Sequence, residues 1–233
     1  MYIPPMQTKI QALCFDLDGT LIDTSGDILL AVNLTLAEFG FMSINLVQCL
    51  QFIGDGVTKL MQRALGQAGY QDVHHPLPAD LLEKAVAIFR QYYSAHLLDS
   101  SRPYPQVITT LHQFQTLPLA VISNKSVSFC KRILDSLHLS HYFKIILGGD
   151  SLSSQKPDPL PLRHVLQQFN IAPQHCLMVG DSSNDIRCAH SVGALACAVT
   201  YGFRDETELR SCEPDWLIHD FAELVQIVVN SGG

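Results

Sequence analysis

Ile10-Gln11-Ala12-Leu13-Cys14-Phe15-Asp16-Leu17-Asp18-Gly19-Thr20 is the stretch on which the reading of the whole chain turns. The apolar run from Ile10 to Phe15 predicts a buried strand, and it stops at two carboxylates separated by one residue. Gly19 then lets the backbone turn. In an open α/β sheet, ligands bind in the crevice outside the carboxyl ends of the strands, so Asp16 and Asp18 stand where chemistry is expected. A carboxylate can act as a nucleophile, and a second one two residues on can donate and accept a proton. Asp and Gly are also ordinary turn residues, and the rest of the chain has to decide between the two readings.

Working outward, 233 residues allow one or two domains, and a hydrophobic share of 47% against 16% charged supports a substantial core. The net charge of -7, with no block of basic residues, excludes a nucleic-acid surface and points to a small partner. No apolar stretch reaches the roughly 18 residues that a membrane span needs. The seven cysteines fall at irregular spacings without a C-x-x-C pair and read as small core hydrophobes. Met1 to Lys9 holds two prolines and no long apolar run, which with an odd cysteine count predicts a reducing cytoplasm.

After the opening strand the apolar period becomes helical. Ile28, Val32, Leu36 and Phe39 fall on one face, with Asp23, Thr24 or Ser25 available as N-cap. Val57, Leu60, Met61, Ala64, Leu65 and Ala68 repeat the pattern, as do Leu81, Ala85, Ile88, Phe89 and Tyr92 behind an Asp80 and Glu83 capping pair. Residues 24–98 are therefore expected to form an all-helical cap, inserted into a core domain made of residues 1–23 and 99–233. From Tyr104 onward strands alternate with helices, the signature of a parallel sheet covered on both faces. Strands are expected near 118–123, 143–148, 176–180 and 195–200, with a short one at 215–218. The expected fold class is α/β: a Rossmann-like parallel sheet with helices on both faces plus the inserted helical cap.

Each later strand also ends on a usable polar group. Val121-Ile122 delivers Ser123-Asn124 and then a helix start, an arrangement suited to an anion. Lys156-Pro157 follows the third strand, and Leu177-Met178-Val179 leads into Gly180-Asp181-Ser182-Ser183-Asn184-Asp185. Asp16, Asp18, Asp181 and Asp185 in one site cannot all stay charged without cations or raised pKa values. A divalent ion together with Lys156 resolves the conflict. Oxygen ligands without His or Cys select a hard ion, and Mg²⁺ is the usual one for phosphate chemistry. Each motif alone has an ordinary explanation as a cap, a turn or a loop. Their order at successive strand ends does not.

These four motifs, Asp16-Leu17-Asp18-Gly19-Thr20-Leu21, Ser123-Asn124, Lys156-Pro157 and Gly180 to Asp185, resemble those of the haloacid dehalogenase superfamily over nearly the whole chain. Phe52-Ile53-Gly54-Asp55-Gly56-Val57, Gly148-Gly149-Asp150, Lys156-Pro157-Asp158-Pro159 and Thr200-Tyr201-Gly202 look like the phosphoglycolate phosphatases within it. The resemblance implies an Mg²⁺-dependent phosphatase acting on a small anionic phosphate ester, foremost 2-phosphoglycolate, through an aspartyl-phosphate. It implies Asp16 as nucleophile and Asp18 as acid and base. Mg²⁺ would be held by the Asp16 carboxylate, the Asp18 backbone carbonyl and Asp181, with Asp185 binding through water or supporting from behind. Ser123, the Asn124 backbone and Lys156 would hold the phosphate. Dehalogenase and phosphonatase members lack a carboxylate at the place of Asp18, so the resemblance excludes those chemistries.

Gly54 and Gly56, just ahead of the helix beginning near Val57, are the expected receptor for a substrate carboxylate, provided that Asp55 points away. A glycine turn between helices explains the same residues. The enzymatic alternatives are a pyrophosphatase, another sugar-phosphate phosphatase or a mutase; the alternative from another class is a silent member binding a phosphometabolite or a protein. His74-His75 reads as a surface pair, and Phe89, Tyr92 and Tyr93 read as cap core. Arg63, Lys84, Arg90 and Arg102 suit either cleft or solvent. The chain is expected to work as a monomer or homodimer, with no nucleic-acid or membrane partner.

Overall fold

The computed structural model describes residues 9–70 and 78–231, and His74-His75 lies outside the described residues. The chain runs β1 (Ala12–Phe15), β2 (Ile22–Asp23), α1 (Ser25–Glu38), α2 (Leu46–Phe52), α3 (Val57–Gln67), α4 (Ala79–Ala95) and β3 (Arg102–Pro103). It continues through α5 (Val107–Gln113), β4 (Leu119–Ile122), α6 (Val127–Ser136), β5 (Ile145–Leu147), α7 (Leu160–Phe169) and β6 (Cys176–Gly180). The last elements are α8 (Ser183–Val192), β7 (Leu195–Val199), α9 (Glu206–Ser211), β8 (Trp216–Ile218) and α10 (Glu223–Asn230).

Among the described residues, six strands form one parallel sheet in the order β5-β4-β1-β6-β7-β8. The chain leaves β1 for β4 and β5 on one side, then crosses to β6 on the other, so the switch point lies at the end of β1. The register decides what meets there. Phe15 pairs with both Val121 and Val179, which brings the exits of β1, β4 and β6 level. Each strand expected from the sequence is present; β6 keeps its expected bounds and the others are shorter by one to three residues.

Successive residues of β1 face opposite layers, as the period of two requires. Leu13 and Phe15 join one core cluster, where the Phe15 ring lies 5.7 Å from that of Phe221 and 6.3 Å from that of Phe143. Ala12 and Cys14 join the other, under Leu162, Val165 and Ile186. Burial of a phenylalanine of this kind contributes about 1.5–3 kcal/mol. Six of the cysteines are buried and Cys212 is half-buried, in keeping with their reading as core residues.

The helices α1 to α4 pack on one another between β2 and β3, and α1 and α3 bury the predicted faces. Several local expectations differ. Thr24 occupies the N-cap position of α1, but its hydroxyl donates to Asp18 Oδ1 at 2.6 Å and accepts no N–H from the first turn. The Asp80 and Glu83 capping pair does not form, because Pro78 takes the N-cap position and Asp80 already lies in the first turn. Tyr92 lies at the edge of the core, half-buried and packed against it, with its hydroxyl on Glu38. The helix α2 escaped the periodicity because only Cys49 of its seven residues is buried; an Asn45 and Gln48 capping box starts it.

Two crossings join the cap to the sheet layer, and they are tied together. Ile22 and Asp23 pair antiparallel with Pro103 and Arg102. The buried Asp27 accepts the N–H groups of Ser100 and Ser101 at 2.8 Å each and their hydroxyls at 2.6 Å each. At the far end, Asp220 accepts the Ala222 N–H at 2.8 Å and Glu223 the Asp220 N–H at 2.9 Å, just ahead of and at the start of α10. No helix among the described residues is long and apolar enough to cross a membrane.

Candidate active site

The end of β1 sets the geometry. The Asp16 N–H donates to the Val179 carbonyl at 2.9 Å, which holds the strand exit against β6. Gly19 has φ +80, and a Cβ there would lie 2.2 Å from Asp181 Oδ2, so a side chain would take the place of an acid. The turn sends the two carboxylates of the motif different ways. Asp16 meets Asp181 and Asp185, one oxygen from each lying within 4.8 Å of the others. Asp18 instead faces the cap, held by the Thr24 hydroxyl at 2.6 Å and by Lys125 Nζ at 2.9 Å.

Lys156 neutralises part of the acidic group, 2.6 Å from Asp185 Oδ1 and 2.9 Å from Asp16 Oδ1. Burial opposes the ammonium charge, but Asp16 and Asp185 outweigh it and hold the Lys156 pKa above its usual range. The second oxygen of Asp185 accepts from the Ser182 hydroxyl at 2.6 Å and the Ser182 N–H at 3.1 Å, which also caps α8. Asp181 accepts from the Phe203 N–H at 2.7 Å.

One cation does not balance the site. Burial pushes the Asp16 carboxyl up to about 6; Lys156 opposes the rise, while Asp185 and Asp18 add to it. Burial, then the charges of Asp16 and Asp185, push Asp181 up to about 8. Asp16 Oδ1 faces the Lys156 ammonium at 2.9 Å. Three converging carboxylates with a single buried ammonium between two of them, and no nitrogen or sulfur ligand in the group, fit a hard divalent cation.

Ser123 is buried at the exit of β4, its N–H on the Leu147 carbonyl and its hydroxyl accepting from the Lys125 N–H at 3.3 Å. The Asn124 side chain donates to the carbonyls of Gly54 and Lys156 at 2.8 Å each, bridging the cap loop and the lysine segment. The helix α6 begins at Val127, and Asp150 accepts the Val127 N–H at 2.7 Å.

A cavity of about 420 Å³ lies between these groups and the cap. Asp16, Asp18, Ser123, Lys125 and Asp181 line one side, and Gly54, Gly56, Thr58, Phe89 and Tyr93 line the other. The loop with Gly54 and Gly56 is fastened to the sheet layer. Arg204 donates to the Leu50 carbonyl at 2.6 Å and to that of Ile53; Asn184 holds Asp55 Oδ1 at 2.9 Å, and Gln155 reaches the Asp55 carbonyl at 3.2 Å. Arg63 takes Asp55 Oδ2 at 2.6 Å. Burial works against the Asp55 charge, but Asn184 and Arg63 hold its carboxyl below the usual range. Asp55 itself lines the cavity, with its carboxylate engaged by Asn184 and Arg63.

The structure thus brings together Asp16, Asp18, Ser123, Asn124, Lys156, Asp181, Asp185, Gly54 and Gly56. It adds Lys125, Thr24, Asn184 and Arg204, which the motif reading passed over. A lysine immediately after Ser123-Asn124 was a signal within reach, and so was an arginine just beyond a strand end. Of the unassigned cations, Arg63 fastens Asp55 and the exposed Arg90 lines the cavity, whereas Lys84 and Arg102 are exposed away from it.

A parallel sheet with paired acids at its switch point, a buried lysine beside them and a helical cap above defines a class of capped α/β hydrolases. The Haloacid dehalogenase-like hydrolase family matches residues 13–199, and the chain belongs to that family. It is 38% identical over 222 residues to a phosphoglycolate phosphatase of Neisseria meningitidis, covering 93% of each chain. A phosphoglycolate phosphatase of Mannheimia succiniciproducens is 38% identical over 228 residues, covering 96% of this chain and all of that one (100%). The crystal structure of a predicted phosphoglycolate phosphatase from Haemophilus somnus 129PT superposes with a TM-score of 0.87 at 34% identity, covering 96% of this chain and 99% of the other.

Proposed function

We propose that this enzyme is an Mg²⁺-dependent phosphatase that hydrolyses 2-phosphoglycolate to glycolate and phosphate. One observation carries the reading: the two acids at the end of β1 are sorted to different tasks. Asp16 lies in the acidic cluster beside Lys156, while Asp18 faces the cap between Thr24 and Lys125. Its relatives named as phosphoglycolate phosphatases support the choice of substrate.

In this reading Ser123, the Asn124 backbone and Lys156 hold the phosphoryl oxygens, and Asp16 attacks phosphorus in line as the ester bond breaks. Asp18 gives its proton to the departing alkoxide. It then takes a proton from the water that releases phosphate from Asp16. The Asp16 and Asp181 carboxylates and the Asp18 backbone carbonyl would hold Mg²⁺, which supplies positive charge against the phosphoryl oxygens. Asp185 supports from behind, since its oxygens are engaged by Lys156 and Ser182.

Residues 1–23 and 99–233 form the core domain of this proposal and residues 24–98 the cap. Gly54 and Gly56 form a roof without side chains, allowing the backbone to approach the leaving group. The enzyme would act in the cytoplasm, as a monomer or homodimer. A catalytically silent relative is disfavoured because each motif residue is present and in place.

The test is hydrolysis of a chromogenic phosphate ester with Mg²⁺ or chelator, followed by a panel of small phosphates. Metal-dependent turnover with 2-phosphoglycolate as best substrate is expected. Metal-independent turnover, or a clear preference for pyrophosphate or a sugar phosphate, would overturn it.

A further inference from the structure

We propose that the loop of residues 201–204, which follows β7, positions Asp181 as a metal ligand and fastens the cap to it, so that an ion held there tightens the cap loop of residues 50–56. The inference rests on the metal-dependent phosphatase reading above and adds a positioning element to it.

Thr200-Tyr201-Gly202 takes no part in the phosphoryl transfer, yet its loop closes on the acidic cluster. Asp181 is buried, and both of its oxygens meet donors: the Phe203 N–H lies 2.7 Å from Oδ2 and the Thr20 hydroxyl 3.4 Å from Oδ1. Gly202 lets the loop come this close. A Cβ there would lie 2.3 Å from the Asp181 Cβ and 2.4 Å from the Gly19 carbonyl oxygen. Its φ is not positive, so space alone asks for glycine at this position. A side chain would push the loop off the acid and off the turn after β1 together. Tyr201 holds that same turn, its hydroxyl donating to the Thr20 carbonyl at 3.0 Å.

The loop also grips the cap at two places. The Tyr201 ring lies 4.7 Å from that of Tyr104, which follows β3 where the chain returns from the cap, and the Tyr104 N–H donates to the Leu21 carbonyl at 3.0 Å. Arg204 holds the carbonyls of Leu50 and Ile53 on the cap loop. The Phe203 N–H on Asp181 and the Arg204 guanidinium on the cap loop belong to adjacent residues, joined by one planar peptide. An ion that fixes Asp181 therefore fixes the loop, and the loop fixes the roof of the cavity. Such coupling runs both ways, so a cap loop held in place favours the ion in turn.

The experiment measures Mg²⁺ binding to the substrate-free enzyme by calorimetry, and amide exchange in residues 50–56 with and without Mg²⁺. Gly202→Ala should weaken Mg²⁺ binding by roughly tenfold to a hundredfold, the range for losing a group that orients a ligand, and Tyr201→Phe by about tenfold. Mg²⁺ should slow exchange in residues 50–56 of the wild type, and Arg204→Met, which cuts the loop from the cap, should abolish that slowing. Undiminished affinity in both loop variants overturns the proposal, even where their melting temperature in chelator falls, because that marks a loop that only stabilises the fold. Equal slowing in the wild type and Arg204→Met overturns the link to the cap. Either result leaves the phosphatase reading intact, whereas a wild type that binds no Mg²⁺ strikes that reading and this one together. Should Gly202→Ala fail to fold, Tyr201→Phe, which keeps the ring, and the exchange comparison still decide.

Discussion

Arg204 donates to the carbonyl of Leu50 at 2.6 Å, joining the loop after β7 to the last turn of α2. The preceding residue, Phe203, gives its N–H to Asp181 at 2.7 Å. The position of the cap loop and the orientation of an acid in the cluster therefore depend on two adjacent residues.

Replacing Arg204 by Met leaves the carbonyls of Leu50 and Ile53 without the guanidinium. A hydrogen bond to a charged group contributes about 1.5–3 kcal/mol, somewhat less where water competes. Hydrogen exchange should accelerate across α2 and the loop with Gly54, and KM should rise about tenfold. Unchanged exchange there would mean that Asn124 and Asn184 hold the loop without Arg204.

Asp18→Asn keeps the shape of the side chain and an oxygen for the Thr24 hydroxyl, but removes the proton donor. Turnover of an alkyl phosphate should fall by about 10²–10⁴, the usual contribution of general acid–base catalysis. Mg²⁺ affinity, followed by calorimetry, should change little, because the Asp18 carboxylate lies outside the acidic cluster. Near-normal turnover would contradict the role given to this residue.

The raised carboxyls make metal-free stability depend on pH. Asp16 at about 6 and Asp181 at about 8 both lie above the ordinary value of 3.8, so the folded state binds protons more tightly than the unfolded chain. Their contribution is present in full below about pH 4 and is lost as pH rises through 6 and then 8. Bound Mg²⁺ requires the charged forms and reverses the trend. Thermal melts in chelator should show these groups lowering Tm from pH 5 to 9, and the gain from Mg²⁺ should grow over the same range. A gain independent of pH would argue against Asp16 and Asp181 as metal ligands.

Much of this was legible in the chain because it is local. The run before Asp16 has to be a strand, since its residues are apolar and too few for a helix, and alternation after Tyr104 has to give a parallel sheet. Motifs at strand ends then converge on one edge whatever the details of packing. The short ribbon of Ile22 and Asp23 with Arg102 and Pro103 left no such trace, because two residues have no period. Of Asp23, Thr24 and Ser25, it is Thr24 that takes the N-cap position, but its hydroxyl is engaged elsewhere, for a related reason. A hydroxyl at a helix start also suits a nearby carboxylate, and only the fold shows that Asp18 lies within 2.6 Å.

The order of residues by itself determined the sheet, the helical insert after the first strand and the meeting of the strand ends that carry Asp16, Ser123 and Asp181 at one edge, since apolar period and strand polarity are properties of short segments. Tertiary structure alone decided that Asp18 turns away from the acidic cluster, that Lys125 rests between Asp18 and Tyr93, and that Arg204 holds the roof. Those contacts join residues far apart in the chain, so their distances and burial exist only once the layers have packed.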